Sequence, residues 1–269
     1  MPVDKLSLPN ITRRPQHTPD WPDVPPLLAR ILAGRGVDDP AQLELALKRL
    51  PHPSAFTGLR GAVELLLQGR SDHWRICIVG DYDADGATAT TLMVRGLELL
   101  GFPRPDFLVP DRFEYGYGLS PAIVELAQQQ YRPDLIITVD NGIASVDGVA
   151  AAQARGIKVL ITDHHLPGDT LPDADALVNP RLPGCEDFPA ANLAGVGVAF
   201  YLLMDLQRAL RDQGFTPTQP ITDLLDLVAL GTVADVVSLD DANRVLVEQG
   251  LRRIRAGKGC PGIRALLQV

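Results

Sequence analysis

Short apolar runs alternate with helix-like segments along the chain from Gly61 onward. The runs contain three to five residues and are rich in β-branched side chains, which is typical of buried strands. Strands that alternate with helices favour a parallel sheet covered by helices on both faces. We therefore predict an α/β fold with a doubly wound, mainly parallel sheet. The expected strands are residues 76–80, 107–109, 135–139, 159–162 and 176–178.

The chain on either side of this alternating region has a different character. Residues 1–58 are proline-rich, carry amphipathic helical patterns at 25–36 and 39–50, and predict a helical N-terminal extension. Residues 241–269 begin with the pattern of a long helix that ends shortly before the chain does. We therefore expect a main domain at 59–240, followed by a connecting helix and a truncated end.

Three aspartates crowd the segment that follows the first predicted strand. "DYDADG" places Asp81, Asp83 and Asp85 at alternate positions. Carboxylates this close repel one another, so a bound cation is expected to balance them. A calcium-binding EF-hand loop does not fit, because Leu92 stands where that loop needs a bidentate glutamate. The alternative, a solvated acidic turn with one capping aspartate, accounts for only one of the three.

Two more predicted strands end in the same way. Asp140 follows the third strand in "TVDNG", and Asp163, His164 and His165 follow the fourth in "TDHH". Because the carboxyl ends of parallel strands share one edge, where ligands bind, we expect these side chains to meet the first three aspartates. Helix capping by Asp140 and surface positions for the histidines are the alternative, which is equally acceptable for His165 alone.

The types of side chain at these strand ends indicate which metal they would bind. Carboxylates with one or two imidazoles suit Mg²⁺ or Mn²⁺. None of these strand ends carries a cysteine, so the sequence does not indicate zinc. The negative charge of at least four carboxylates balances two divalent ions better than a single ion. One carboxylate would then bridge the two ions. Two such ions form the usual clamp for in-line attack at phosphorus. The sequence therefore predicts phosphoester hydrolysis at a two-metal centre.

Two other stretches carry candidate substrate contacts. Arg112, Tyr115 and Tyr117 lie in a glycine-rich loop, where arginine could hold a phosphate and tyrosine could stack on a base. An ordinary surface turn is the alternative. Gly195 and Gly197 precede an apolar helix whose first amides could bind a phosphate, and close helix packing is the equally weighted alternative.

Overall composition adds limits rather than a function. The net charge of −8 does not favour nucleic-acid binding, which usually needs a basic face. The three cysteines are too few and too widely spaced for a disulfide framework. No apolar run approaches the roughly 20 residues of a membrane span, and the first residues lack a secretory signal. A cytoplasmic protein without membrane contact is expected.

The acidic and histidine motifs together resemble the DHH phosphoesterase family, and within it the RecJ-type single-strand-specific 5′ to 3′ exonucleases. The similarity extends through "PDRFEYGYGLSPA", "NLAGVGVAFYL" and "VALGTVADVVSL", in the family's order. Small-molecule relatives typically open with His-x₃-Asp-x-Asp. Here Val79 occupies the histidine position before Asp83, which favours the RecJ branch.

The resemblance implies a set of ligands for each of two ions. Asp83 and Asp140 would bind one ion, and Asp140 would bridge to the other. The second ion's ligands would be Asp85, Asp140, His164 and Asp235. Asp81 would be a further ligand or a close neighbour, Asp163 would orient a histidine ring, and His165 would face the phosphate.

The resemblance also implies an activity and a biological setting. It implies release of 5′-mononucleotides from single-stranded DNA in DNA repair and recombination, with single-strand-binding protein and a helicase as partners of the complete protein. The matching region is the first half of such proteins, so we expect a fragment that lacks much of the DNA-tracking surface, which would also explain the acidic charge. A phosphoesterase for small molecules or short oligonucleotides is one alternative. An inactive scaffold is another, and the filled ligand positions oppose it.

Overall fold

A computed structural model describes residues 18–269 of the chain, with five strands in one sheet. All neighbouring strands are parallel, in the order β2-β1-β3-β4-β5. The predicted α/β fold is confirmed, and β2 and β4 each begin one residue earlier than expected. The strands are β1 (Ile76–Gly80), β2 (Asp106–Leu108), β3 (Leu135–Val139), β4 (Lys158–Thr162) and β5 (Ala176–Val178).

Helices cover both faces of the sheet, because side chains along each strand point alternately to opposite sides. Ile76, Ile78 and Ile137 lie in the larger core with α2, α3, α7, α8 and α9, whereas Cys77 and Ile136 lie in a smaller core with α5 and α6. The sheet is therefore doubly wound, as predicted. The helices are α1 (Pro26–Ala33), α2 (Leu59–Ser71), α3 (Ala84–Leu99), α4 (Arg112–Tyr115), α5 (Pro121–Gln130), α6 (Val146–Gln153), α7 (Gly195–Asp212), α8 (Leu225–Ala234), α9 (Asp241–Arg255) and α10 (Pro261–Leu266).

The strand order creates a crevice between β1 and β3. The chain leaves β1 for β2 on one side, while β3 starts the other half of the sheet, so the connections diverge at this point. Ligands of doubly wound sheets bind at the carboxyl end of such a switch point. Asn141 ties the two strands together here, since its Nδ2 donates to the carbonyls of Val79 (3.1 Å) and Val139 (2.9 Å).

Two local features of the structure were not predicted from the sequence. Helix α3 begins at Ala84, inside the acidic segment, because the Asp83 side chain caps it by accepting the Gly86 amide at 2.9 Å. Asp85 therefore lies in the first helical turn. The helix expected at 39–50 is absent from the described structure, which has two 3₁₀ turns there, Pro40–Leu43 and Leu47–Arg49.

A tertiary contact explains the second difference. The side chain of Gln249 donates to the carbonyl of Leu45, which a continuous helix would have used within itself. Glu44, which ends the first turn, is extended, with φ −76° and ψ 94°. The local helical pattern is overridden at this point by packing against α9.

The chain divides into two compact units, Met1–Glu44 and Leu45–Val269. In the described part of the first, residues 18–44, Trp21, Ala29 and Val37 form a small apolar cluster. Residues 45–58, expected in the extension, belong to the second unit. Phe56, for example, stacks on Phe188 with ring centroids 4.4 Å apart.

The end of the chain also belongs to the second unit. Leu246 of α9 and Ile263 of α10 lie in the larger core, so the predicted connecting helix packs on the domain. Residues 1–17 of the predicted extension, including the stretch inspected for a secretory signal, lie outside the described residues. Within residues 18–269, none of the helices combines the length and hydropathy that a membrane-spanning segment requires.

Candidate metal centre

Five elements bring acidic and imidazole groups to the crevice between β1 and β3. Three strand ends contribute as predicted from the sequence, and Asp85 comes from the first turn of α3. Asp235 arrives at the C-terminal end of α8, which packs against α3. The residues that follow the strands are Asp81 and Asp83 after β1, Asp140 after β3, and Asp163, His164 and His165 after β4.

The side chains form three overlapping groups, each with ligand atoms within 4.8 Å of one another. Asp140 belongs to two of these groups and so joins the two ends of the site. Its Oδ1 lies 3.1 Å from His164 Nε2, which is 3.7 Å from Asp235 Oδ2 and 3.9 Å from Asp85 Oδ2. The groups are Asp81, Asp83 and Asp140; Asp85, His164 and Asp235; and Asp140, His164 and His165.

Burial without hydrogen bonds marks the centre of this cluster. Asp140 Oδ1 and His164 Nε2 are buried and have no hydrogen-bond partner within residues 18–269. Asp85 and Asp140 are each only 1% exposed. Because an unpaired buried carboxylate is costly, a bound divalent cation would stabilise this arrangement. The oxygen-rich donor set with one central imidazole fits Mg²⁺ or Mn²⁺.

The pKa values of the cluster residues also favour a cation site. Burial and the charge of Asp140 raise the pKa of Asp85 to about 8. Burial and the charge of Asp83 raise the pKa of Asp140 to about 8 as well. Burial and neighbouring His165 lower the pKa of His164, which favours the neutral imidazole that metal binding needs. The cluster therefore holds protons that a cation would displace.

The start of α7 fixes Asp85 and corrects one prediction. The amides of Gly195 and Val196 donate to the Asp85 carboxylate at 2.6 and 2.9 Å, so the expected phosphate site at this helix end has lost these donors. A Cβ on Gly195 would lie 2.5 Å from Asp140 Oδ1, and one on Gly197 would lie 3.1 Å from Leu193. Close packing, the alternative interpretation, therefore requires a glycine at position 195, whereas at Gly197 the one close neighbour is the end of a flexible side chain.

Asp163 lies beneath the cluster and orients His165 rather than His164. Its Oδ1 accepts hydrogen bonds from His165 Nδ1 and the His164 amide, both at 2.7 Å, and its Oδ2 accepts the Ile143 amide at 2.9 Å. Burial opposes ionisation of Asp163, but these hydrogen bonds outweigh it and lower its pKa. The hydrogen bond to Asp163 raises the pKa of His165 to about 9. Without a bound metal ion, the short contact therefore favours a carboxylate paired with an imidazolium.

Asp140 has an unusual backbone. Its φ of 62° lies in the left-handed region, which few residues other than glycine adopt easily. Its amide donates to the Thr162 carbonyl at 3.0 Å, and its carbonyl accepts the Tyr117 hydroxyl at 3.1 Å. Backbone strain of this kind often occurs at functional sites.

The loop after β2 places the other predicted contacts. The guanidinium of Arg112 donates to both oxygens of Asp81, at 3.1 and 3.0 Å, and lies 3.7 Å from the ring centroid of Tyr82. Arg112 thus neutralises Asp81 in this structure. Tyr117 is half-exposed beside the site, whereas Tyr115 packs against the smaller core. A base-stacking role for Tyr115 is therefore not favoured.

Sequence reasoning missed two residues of the site. Tyr82 lies inside "DYDADG" and is 51% exposed, and its position between Asp81 and Asp83 could have revealed it. Asn141 follows Asp140 directly, but its bonds to two strand carbonyls required the strand order to be known.

The family profile described as "DHH family, N-terminal domain" matches residues 75–232. The chain belongs to the DHH family. It is 52% identical over 263 residues to the single-stranded-DNA-specific exonuclease RecJ of Escherichia coli, covering 96% of this chain and 45% of that protein. The RecJ of Thermus thermophilus is 39% identical over 235 residues, covering 87% of this chain and 32% of that protein. The chain therefore spans about half or less of the length of these DHH relatives.

Solved structures of DHH proteins show the same similarity. A RecJ from Thermus thermophilus in complex with Mn²⁺ matches with a TM-score of 0.72 and 35% identity, over 90% of this chain and 33% of that one. An exonuclease RecJ bound to manganese matches with a TM-score of 0.65 and 40% identity, over 75% of this chain and 49% of that one. The fold assigned from strand order and the family assigned from sequence thus agree.

Proposed function

We propose that this chain is the catalytic DHH domain of a metal-dependent exonuclease that degrades single-stranded DNA from 5′ to 3′ and releases 5′-mononucleotides, in DNA repair and recombination. The observation that carries the proposal is that Asp140 belongs to two ligand groups and has one buried oxygen without a hydrogen-bond partner among residues 18–269. Polarity, product and biological role rest on the similarity to RecJ proteins.

The ligand groups suggest how two Mn²⁺ or Mg²⁺ ions would be held. Asp83 and Asp140, with Asp81 beside them, would hold the first ion. The second would lie among Asp85, Asp140, His164 and Asp235. When bound, two such ions stabilise the negative charge that develops on the attacking and leaving oxygens at phosphorus. The similarity to RecJ structures solved with Mn²⁺ or Mg²⁺ supports this choice of metal.

The protein's own residues would then bind and position the DNA. His165, held through Nδ1 by Asp163, would present its other ring nitrogen to the phosphate. The exposed rings of Tyr82 and Tyr117 offer faces on which bases can stack, which is how single strands are bound without sequence preference. Arg112 between these rings would add positive charge next to the DNA backbone. We also propose a cytoplasmic location, as expected from the sequence, and from the resemblance we propose single-strand-binding protein and a helicase as partners.

The decisive experiment digests single-stranded DNA labelled at the 5′ or the 3′ end, with Mn²⁺, with Mg²⁺ and with a chelator. We expect 5′-labelled mononucleotides to appear first, only with metal, and Asp140→Asn to abolish the reaction. Asp187→Asn, a change at an exposed aspartate outside the cluster, serves as the matched control. Full activity in chelator after dialysis would contradict the proposal. A larger kcat/KM for dinucleotides than for long strands would support the short-oligonucleotide alternative instead.

A further inference from the structure

A cavity of about 340 Å³ opens beside the metal centre, between the loops that follow β2, β3 and β4. We propose that this pocket, called here the β3 cavity, receives the nucleobase adjacent to the phosphodiester that is cleaved. The inference rests on the proposed function and adds a binding site to it. The argument uses the cavity's position, its charge, its walls and its hydrogen-bonding groups.

The position of the β3 cavity suits a group that is linked to the reacting phosphate. Tyr117 and His165 line it, and both also touch the metal centre. The Tyr117 hydroxyl donates to the Asp140 carbonyl at 3.1 Å, and the rings of His164 and His165 are 4.4 Å apart. If a phosphate bound at the metal ligands, its neighbouring sugar and base would therefore lie beside these two side chains.

Charge decides between a base and a second phosphate. The lining contains the carboxylate of Asp147 and the imidazole of His165, and among residues 18–269 no lysine or arginine lines it. A phosphate next to Asp147 would meet a like charge, and the positive charge that His165 can carry is already paired with Asp163 at 2.7 Å. A neutral group is therefore the better occupant, and the neutral part of a nucleotide is its base.

The walls fit a flat apolar ligand. Leu166 is 74% exposed and Val146 is 37% exposed, although both line the cavity. The half-exposed ring of Tyr117 forms a third side. Large apolar side chains left open beside a site mark a binding surface, and base faces stack well on aromatic and aliphatic groups. A bound base would cover all three side chains.

The hydrogen-bonding groups predict little preference among the four bases. Ser145 Oγ accepts the Leu119 amide at 2.9 Å, and Ser120 Oγ accepts the Ile123 amide at 3.3 Å. Each hydroxyl keeps its own rotatable proton and a further lone pair, so it can either donate to a base edge or accept from it. Walls of this kind suit an enzyme that degrades strands regardless of sequence.

The test measures binding of mononucleotides to the Mn²⁺-loaded chain by calorimetry. Deoxyadenosine 5′- and 3′-monophosphate lack an internal diester, so neither is degraded at the site, and each is compared with the matching deoxyribose phosphate. We expect at least one nucleotide to bind about tenfold more tightly than its base-free partner, the size expected for one stacked base. No advantage of either nucleotide would overturn the proposal.

Two substitutions with matched controls locate the effect. Leu166→Ala removes one wall and Val146→Trp fills the cavity, and both should reduce the nucleotide advantage to within about threefold, since stacking is lost. Leu171→Ala in the same loop and Ala150→Trp one turn further along α6 change exposed residues outside the lining and should preserve it. An advantage that survives both wall substitutions would refute the site. Manganese content and thermal melts verify that every variant is folded and loaded.

A parallel DNA digestion separates this proposal from the proposed function. Cleavage of single strands without any contribution of the base to mononucleotide binding would reject the β3 cavity and leave the nuclease proposal standing. Tighter nucleotide binding that depends on Leu166, without cleavage of single strands, would reject the nuclease proposal and leave the cavity as a nucleotide site.

Discussion

His164 Nε2 lies 3.1 Å from Asp140 Oδ1, yet both atoms are buried and neither has a hydrogen-bond partner within the described residues. The two residues follow adjacent parallel strands: Asp140 is the first residue after β3, and His164 is the second residue after β4. Two buried polar atoms that lie this close without a hydrogen bond between them form a site that a cation would stabilise. Asp140 and His164 share one ligand group. Asp140 also belongs to the group with Asp81 and Asp83, whereas His164 belongs instead to the group with Asp85 and Asp235.

The first prediction follows from this difference in reach. Asp140→Asn should abolish tight binding of both Mn²⁺ ions, because the carboxylate that it removes belongs to the group of Asp83 and also lies 3.1 Å from His164 of the other group. His164→Ala should release mainly one ion. Both variants should lose nuclease activity by several orders of magnitude, since residues that act as a unit are strongly non-additive. Elemental analysis of metal per chain measures the distinction.

The choice of asparagine matters because Asp140 has a φ of 62°. Asparagine tolerates the left-handed region, whereas alanine does not, so Asp140→Ala should be less stable than Asp140→Asn while binding equally little metal. Retention of two Mn²⁺ ions by the asparagine variant would show that Asp140 is not a bridge.

The second prediction concerns pH in the metal-free protein. The pKa values of Asp85 and Asp140 are raised to about 8, so between about pH 4 and pH 8 the folded chain binds more protons than the unfolded chain. Stability of the metal-free chain should therefore fall as the pH rises through this window. His165, with a pKa raised to about 9, acts in the same direction above its usual value.

Thermal melts in chelator across pH 5 to 8 measure this dependence. Asp140→Asn removes one of the raised carboxyls and should flatten the fall, while Asp187→Asn, at an exposed aspartate, should leave it unchanged. Added Mn²⁺ should raise the melting temperature most at the alkaline end, where it displaces the fewest protons. A metal-free chain that becomes more stable from pH 5 to pH 8 would contradict the assignment.

Parallel-strand geometry explains how much of this site the sequence could predict. Asp81, Asp83, Asp140, Asp163 and the two histidines each follow a short apolar run, and strands in one parallel sheet must bring such residues to one edge. Asp235 follows a helix, and its position depends on how α8 packs against α3. Its place in the site came only from the family resemblance, because packing between distant segments leaves no periodic signal.

Other features depended on contacts that a local pattern cannot carry. The phosphate role expected for the amides after Ala194 failed because Asp85, more than a hundred residues earlier, occupies them. The helix expected at 39–50 failed because Gln249 of α9 binds the Leu45 carbonyl. In both cases a side chain remote in sequence competes for a backbone group.

The third prediction tests the hydroxyl of Tyr117. Tyr117→Phe keeps the ring but removes the hydrogen bond to the Asp140 carbonyl, which helps to hold the strained backbone of that residue. One such bond contributes about 1 kcal/mol, so Mn²⁺ affinity should weaken by about fivefold. Tyr115→Phe, which changes a tyrosine packed against the smaller core, should bind Mn²⁺ normally. Equal affinities in the two variants would remove Tyr117 from the positioning of Asp140.

The last prediction concerns the start of α7, where backbone approaches the metal ligands most closely. A Cβ on Gly195 would lie 2.5 Å from Asp140 Oδ1 and 2.8 Å from its Cα, so Gly195→Ala must displace either Asp140 or the helix end that holds Asp85. Overpacking of this kind costs about 1–3 kcal/mol of stability. Manganese binding should weaken together with stability, because each of the three ligand groups contains one of these two aspartates.

Gly197→Ala is the matched control, two residues further along the same helix. Its Cβ would lie 3.1 Å from the end of the Leu193 side chain, which can move by a few tenths of an ångström, and alanine favours the helix more than glycine does. This variant should melt close to the unaltered chain and bind two Mn²⁺ ions. If Gly195→Ala also melts and binds metal normally, Asp140 has room to move, and the tight packing of α7 against it is not what positions the metal ligands.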